Sequence, residues 1–238
     1  MTTPTVVLVH GAFADSSSWN AVVGHLRQQM VPVVAVANPL RSVAGDAQYV
    51  RDVLASIDGP VVLVGHSYGG IVITEAAAGD EKVVGLVYVA AFAPETGEDA
   101  FTLSAKFPGS TLGAALAAYP VSTGGNELAI RQEVFGEQFA ADVDPDLTAL
   151  MAATQRPVTE AALTDGLPTT TPAWRTTPSW FVFGEQDRNI PAELVRFMAT
   201  RADARQTTEV PRASHAVAVS HPVTVAETIL AAVEATRQ

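Results

Sequence analysis

The stretch Gly65-His66-Ser67-Tyr68-Gly69 constrains this chain more than any other. It follows Gly59-Pro60 and the apolar run Val61-Val62-Leu63-Val64, and leads directly into Gly70-Ile71-Val72-Ile73-Thr74-Glu75-Ala76-Ala77-Ala78. The β-branched run bounded by glycine and proline predicts a strand, and the segment after the turn predicts a helix. A serine flanked in this way sits on a sharp, strained strand-to-helix turn with its hydroxyl exposed above a sheet. The two glycines have a steric reason, because side chains there would collide with neighbouring backbone. The small surface of Ala76, Ala77 and Ala78 lets the helix lie close to the sheet. A glycine-rich phosphate turn with an incidental serine is the competing account. However, no Lys-Ser/Thr pair follows, and the dinucleotide spacing is missing.

The rest of the chain repeats this alternation. Thr5-Val6-Val7-Leu8-Val9 has the continuous apolar character of a strand buried on both faces, and it ends in His10-Gly11-Ala12-Phe13. Asp15 and Ser16 to Ser18 offer caps for a helix whose Trp19, Val22, Val23 and Leu26 fall on one face. Residues 33–37 predict a second strand, and Val50, Val53, Leu54 and Ile57 a second helix. Residues 83–89 predict another strand. From about 94 to 177 the alternation stops, no strand is expected, and residues 114–118 and 147–153 suit short helices. A structureless loop of that length does not suit a compact domain, so an inserted helical cap is expected. Strand character returns at 179–183 and, weakly, at 207–210, while Leu194, Phe197 and Met198 mark a helix between them. Pro222 opens a terminal helix with Val225, Ile229, Leu230 and Val233 inward. The expected fold is a single α/β domain with a mostly parallel sheet of about six strands flanked by helices. Its core spans 1–93 and 178–238, and its cap about 94–177.

A serine hydroxyl is a weak nucleophile unless a base takes its proton and a further group orients that base. In a parallel sheet those partners come from loops at the carboxyl ends of the strands. Asp187 follows the strand ending at Phe183, and His215 follows the one ending near Val210. The order Ser67, Asp187, His215 is the one associated with this kind of serine turn. Glu185, Glu95 and Asp99 compete for the acid's role. His221 competes for the base's, although its place beside Pro222 suits capping or exposure. His66 is expected to point away from its neighbour Ser67. A tetrahedral intermediate also needs amide donors, one of them the N–H of Tyr68.

On His10-Gly11-Ala12-Phe13, Gly65 to Gly69, Phe183-Gly184-Glu185-Gln186-Asp187 and Ser214-His215, the chain resembles the α/β-hydrolases over nearly its whole length. It is similar to a capped esterase branch containing plant methyl-ester esterases, hydroxynitrile lyases and bacterial carboxylesterases. The resemblance implies Ser67 as nucleophile, His215 as proton carrier, Asp187 as its orienting acid, and Ala12 as the second oxyanion donor beside Tyr68. It also implies a serine carboxylic-ester hydrolase working through an acyl-enzyme on small to medium hydrophobic esters. The same framework serves acyltransferases and perhydrolases, cyanohydrin lyases, and hydrolase-like ligand receptors. Two positions depart from the lyase pattern. The resembling lyases have a lysine directly after the histidine, where this chain has Ala216, and a threonine where it has Gly11.

Composition narrows the partners. The 238 residues carry a net charge of -11 and only 14 Lys and Arg, which argues against a nucleic-acid or anionic-membrane surface. Without cysteine there is no disulfide, thiolate metal site or cysteine nucleophile. The five His residues are scattered, so neither a metal nor another cofactor is expected. Met1-Thr2-Thr3-Pro4 has no basic segment, and no apolar run approaches the ~18 residues of a membrane span. The expectation is a cytoplasmic protein acting on a small-molecule ester; a homodimer is compatible with such a chain.

Overall fold

The computed structural model describes residues 2–122 and 124–237. The chain runs through β1 (Thr5–Val9), a 3-10 turn (Ser16–Trp19), α1 (Asn20–Gln28), β2 (Val33–Val36), α2 (Val43–Ala55), β3 (Val61–His66), α3 (Gly69–Ala76) and β4 (Val83–Val89). An intervening segment holds α4 (Ala100–Ser104), α5 (Leu112–Ala115), β5 (Leu116–Pro120), β6 (Asn126–Ile130), α6 (Gln132–Phe139), α7 (Pro145–Thr154), β7 (Val158–Thr159) and α8 (Glu160–Thr164). Alternation then resumes with β8 (Ser179–Gly184), α9 (Ala192–Arg201), β9 (Gln206–Val210), α10 (Val217–Ser220) and α11 (Pro222–Ala235).

Six parallel strands form the central sheet in the order β2-β1-β3-β4-β8-β9. Strands β3 and β8 are buried at all six of their positions, which is why their sequences are apolar without alternation: helices cover both faces. Helix α1 packs against α11, and α2 against α3. Trp19, Val22 and Leu26 are fully buried, as the spacing requires. Ser42 caps α2, its Oγ accepting the N–H of Gly45 at 3.1 Å.

The order also fixes where a site can form. From β1 the chain moves outward to β2, then crosses back so that β3 lies on the other side of β1. Connections therefore diverge between β1 and β3, and a crevice opens at their carboxyl ends. Val9 pairs with Gly65, so the loops beginning at His10 and at Ser67 leave the sheet side by side.

The segment between β4 and β8 corrects one expectation. It carries helices, including α7 where residues 147–153 predict one, but it also contains a three-stranded antiparallel sheet. Residues 116–120 and 126–130 form a hairpin with Leu116 opposite Ile130 and Pro120 opposite Asn126, and β7 adds to β6. The helix expected over 114–118 stops at Ala115. Leu116, Ala117 and Ala118 favour helix locally, and four of the five β5 positions are exposed, so no apolar alternation announces the strand. The segment is tied to the core loops by backbone bonds. Phe13 N–H donates to Arg156 O at 3.1 Å and Thr159 N–H to Leu40 O at 3.1 Å. An Arg41–Glu127 ion pair joins the same seam. Among the described residues, no helix is long and apolar enough to cross a membrane.

Candidate active site

Ser67 occupies the turn between β3 and α3 with φ of +55°, a left-handed conformation that costs a non-glycine residue about 1–2 kcal/mol. The surrounding bonds hold it there. Its N–H donates to Val89 O at 3.2 Å, and its carbonyl accepts from Gly70 N–H at 2.9 Å and Phe92 N–H at 3.3 Å. The glycine requirement is steric: a Cβ on Gly65 would lie 2.5 Å from Gly69 O. The loop after β1 comes equally close, since a Cβ on Gly11 would lie 2.6 Å from Ser67 Cβ.

Two amides at this junction are uncommitted. Among the described residues, neither Ala12 N–H nor Tyr68 N–H has an acceptor, whereas the next amide, that of Phe13, is bonded to Arg156 O. Ala12, Tyr68 and Ser67 line one cavity. The Tyr68 side chain is turned elsewhere, its hydroxyl donating to Asp46 Oδ2 at 2.8 Å. Burial pushes the Asp46 carboxyl above its usual range, and burial together with this carboxylate pushes the Tyr68 phenol well up.

Asp187 and His215 are brought together from the loops after β8 and β9. His215 Nδ1 lies 2.6 Å from Asp187 Oδ2, with both side chains sealed from solvent. The other carboxylate oxygen accepts Asn189 N–H at 2.7 Å and Ile190 N–H at 2.9 Å. Because a carboxylate only accepts, Nδ1 is the donor in this contact, and in the neutral ring Nε2 is the nitrogen that carries the lone pair. That Nε2 is buried and has no hydrogen-bond partner among the described residues.

The rival residues are engaged elsewhere. Glu185 accepts Arg212 N–H at 2.9 Å, Glu95 pairs with Arg175 at 2.8 Å, and Asp99 caps α4 by accepting Thr102 N–H at 2.7 Å. His221 begins α11, with its Nε2 3.2 Å from Asp142 Oδ2. His66 turns under His215: its Nε2–H donates to the His215 carbonyl at 3.1 Å, and the two rings are 4.7 Å apart. Burial first, and the neighbouring His215 second, hold His66 well below the usual imidazole range. Burial likewise lowers His10, whose Nδ1 bonds Gly11 O at 2.9 Å.

Sequence reasoning missed two residues that hold His215. Phe139 packs edge-on against its ring at 4.9 Å, and Asp142 accepts from both the N–H of Ser214, at 3.1 Å, and its hydroxyl. Both belong to the inserted segment, where no periodicity or motif marks them. In the core, by contrast, the glycines and the Ser, Asp, His order were visible.

The cavity above Ser67 has a volume of ≈ 570 Å³. Phe92 and Ile190 line it from the core, and Phe101, Phe107, Leu112, Leu116, Leu128 and Leu163 from the inserted segment. Glu160 is the one charged residue on its wall; it is exposed and accepts from Asn126 Nδ2 at 3.1 Å.

Known proteins of this shape include esterases. A carbendazim hydrolyzing esterase of Nocardioides sp. is 34% identical over 113 residues, covering 42% of this chain and 47% of that protein. A probable hydrolase of Phoma sp. is 33% identical over 113 residues, covering 41% and 46%. The chain thus spans about half the length of the curated relatives it matches. Polyneuridine aldehyde esterase superimposes with a TM-score of 0.82 at 20% identity, over 97% of this chain and 99% of that one. A pyrethroid hydrolase from Sphingobium faniae gives 0.76 at 24% identity over 98% of each. At such identities the likeness is one of fold. The alpha/beta hydrolase family model matches residues 6–228, and the chain belongs to that family.

Proposed function

We propose that this protein is a serine carboxylic-ester hydrolase. The observation that supports the reading is His215, oriented at 2.6 Å by Asp187, with a buried Nε2 that has no partner among the described residues, its ring 4.7 Å from that of His66, the residue before the strained Ser67. In the proposed cycle Ser67 Oγ attacks the ester carbonyl and passes its proton to His215 Nε2, Asp187 stabilising the imidazolium. The Ala12 and Tyr68 amides, which have no protein acceptor among the described residues, receive the developing oxyanion. Collapse releases the alcohol, which takes the proton back from His215. Water then cleaves the acyl-enzyme by the same steps.

The cavity supports an apolar, uncharged substrate of small to medium size. Aromatic and aliphatic side chains dominate its wall, and the single charge there is negative. Relatives named as an esterase and a hydrolase support the reaction class. Cyanohydrin cleavage is not supported, because no Lys or Arg lines the cavity to hold released cyanide, and Ala216 is apolar and buried. An unpaired anion in such a place costs several kcal/mol. A threonine at position 11 would also bring its Cβ against Ser67.

The test is active-site labelling coupled to turnover. A fluorophosphonate should add once, at Ser67, and Ser67→Ala should lose about five to six orders of magnitude in p-nitrophenyl acetate turnover. Mandelonitrile cleavage should run no faster than in buffer. Labelling at another residue, or an active Ser67→Ala protein, would overturn the reading.

A further inference from the structure

Phe13 borders two spaces. It lines the Ser67 cavity, and it is the one residue that this cavity shares with a second cleft of ≈ 190 Å³. That cleft lies between the start of α1 and α7; Ala14 and Ala21 line it from the core, Leu147 and Met151 from α7. Phe13 is only 3% exposed although it borders both spaces. Its backbone is left-handed, with φ of +61°, and is held there by the N–H bond to Arg156 O at 3.1 Å. A non-glycine residue kept in that conformation needs surroundings that fix it. Here the inserted segment supplies the fixing bond. Phe13 is thereby a buried residue on a held backbone at the border of the two spaces.

The chemistry of the cleft indicates what would pass Phe13 into it. Half of its lining is aliphatic or aromatic, Phe13, Ala14, Ala21, Leu147, Met151 and Val219, and its polar residues include Asp15, Asn20 and Gln155. Such a channel suits a methylene chain and offers no cation for an anionic group. We propose that Phe13 is a specificity-determining residue: it closes the Ser67 cavity on this side and limits the length of the straight apolar arm of the ester, with the cleft behind it as unused space for a longer one. This rests on the ester-hydrolase reading, because arm length is read through turnover at Ser67.

The experiment measures kcat/KM for two series in purified protein: p-nitrophenyl esters from acetate to dodecanoate, and acetate esters of straight-chain alcohols of matching length. Wild type is compared with Phe13→Ala, Met151→Trp and the double variant. Phe13→Ala should raise the long-to-short ratio at least about tenfold in one series, about the gain from two further buried methylenes. Met151→Trp fills the cleft from its far wall, so it should leave the wild-type ratio unchanged and cancel the gain in the double variant. The ratio matters because Phe13 follows Ala12, and damage to the amide would lower all esters together. A Phe13→Ala protein that scales every ester by one factor, or a gain that survives Met151→Trp, would overturn the proposal. Should Phe13→Ala fail to fold, Phe13→Leu keeps most of the buried volume while shortening the side chain, and the same ratio decides. A wild-type protein without Ser67-dependent turnover would instead remove the ester-hydrolase reading beneath it.

Discussion

The central sheet and the segment inserted between β4 and β8 are held by different forces. Every residue of β3 and β8 is buried, and each strand is fixed from both faces by helices. Strand β5 has four exposed positions out of five, and its place depends on the hairpin with β6, the Arg41–Glu127 pair and a few backbone bonds to core loops. The two regions divide the site in the same way. Ser67, Ala12 and Asp187 follow strands buried along nearly all their length, where close packing fixes position, and His215 follows the part-exposed β9. The wall facing a substrate comes mostly from the weaker region. Most of the proposed reaction geometry thus comes from the core and most of the wall from the insertion, with Phe139 and Asp142 reaching across to the His215 loop and Phe13 reaching the wall from the core, and substitutions in each should behave differently.

The largest effect should come from the rigid part. Asp187→Asn replaces an acceptor that bonds His215 Nδ1 and two amides with a group that can hold the wrong imidazole tautomer. It should cost about three to four orders of magnitude in kcat. Because the change strikes the chemistry, every ester should fall by the same factor, with little change in their ranking. His221→Ala, which leaves the His215–Asp187 contact in place, should retain activity within about tenfold. If Glu185→Gln were more damaging than Asp187→Asn, the orienting acid would be misassigned by two residues.

How far the sequence could be read follows the same division. A strand covered on both faces must be apolar throughout, so β1, β3, β4 and β8 are evident in Val, Leu and Phe runs, and the turn residues at their ends mark the candidate site. The Ala12 donor is a matter of resemblance, but the steric need for Gly65 and Gly69 follows from crowding at a reversal. Nothing comparable marks the insertion. Leu116-Ala117-Ala118 has helical propensity, and only cross-strand pairing to residues ten or more positions away makes it a strand. Phe139 and Asp142 likewise meet His215 and Ser214 only through tertiary packing, across more than seventy residues of chain. Local rules hold no information about such contacts.

Asp142 lies on the seam between the two regions, so its replacement should have an intermediate effect. Its carboxylate holds Ser214, directly before the proposed base His215, and faces His221. Burial raises this carboxyl, but hydrogen bonds led by Ser214 outweigh burial and hold it below its usual range. A depressed folded value means that the contribution is present above the unfolded pKa of about 3.9 and is lost as pH falls through the folded one. Asp142→Asn should therefore lower Tm at neutral pH, and the gap to wild type should close below about pH 4. A hydrogen bond to a charged group is worth about 1.5–3 kcal/mol, of which partial exposure leaves about 1, or about 2–4 °C. Activity on all esters should fall by about tenfold through the displaced His215 loop. A Tm gap that stays constant from pH 7 to pH 3 would show that the ionised carboxylate is not the stabilising form.

The smallest effect belongs to Glu160, on the wall supplied by the insertion. It is the only charged lining residue among those described and is exposed, so water and salt weaken its field. Exposed pairs of charges interact by about 0.2–1 kcal/mol, which is about a 1.4- to fivefold change in rate. Glu160→Gln keeps the side-chain length and an oxygen that can accept from Asn126. An ester carrying a free carboxylate, such as p-nitrophenyl hemisuccinate, should gain about two- to fivefold in kcat/KM relative to p-nitrophenyl butyrate. The neutral ester should change by less than about twofold, since its transition state meets the same amides and the same base. Raising the ionic strength to ~1 M should erase the difference between wild type and variant, because the screening length then falls to about 3 Å. Equal changes for both esters would place Glu160 in the shaping of the wall rather than in its charge, and the separation between reaction geometry and substrate choice would fail at this residue.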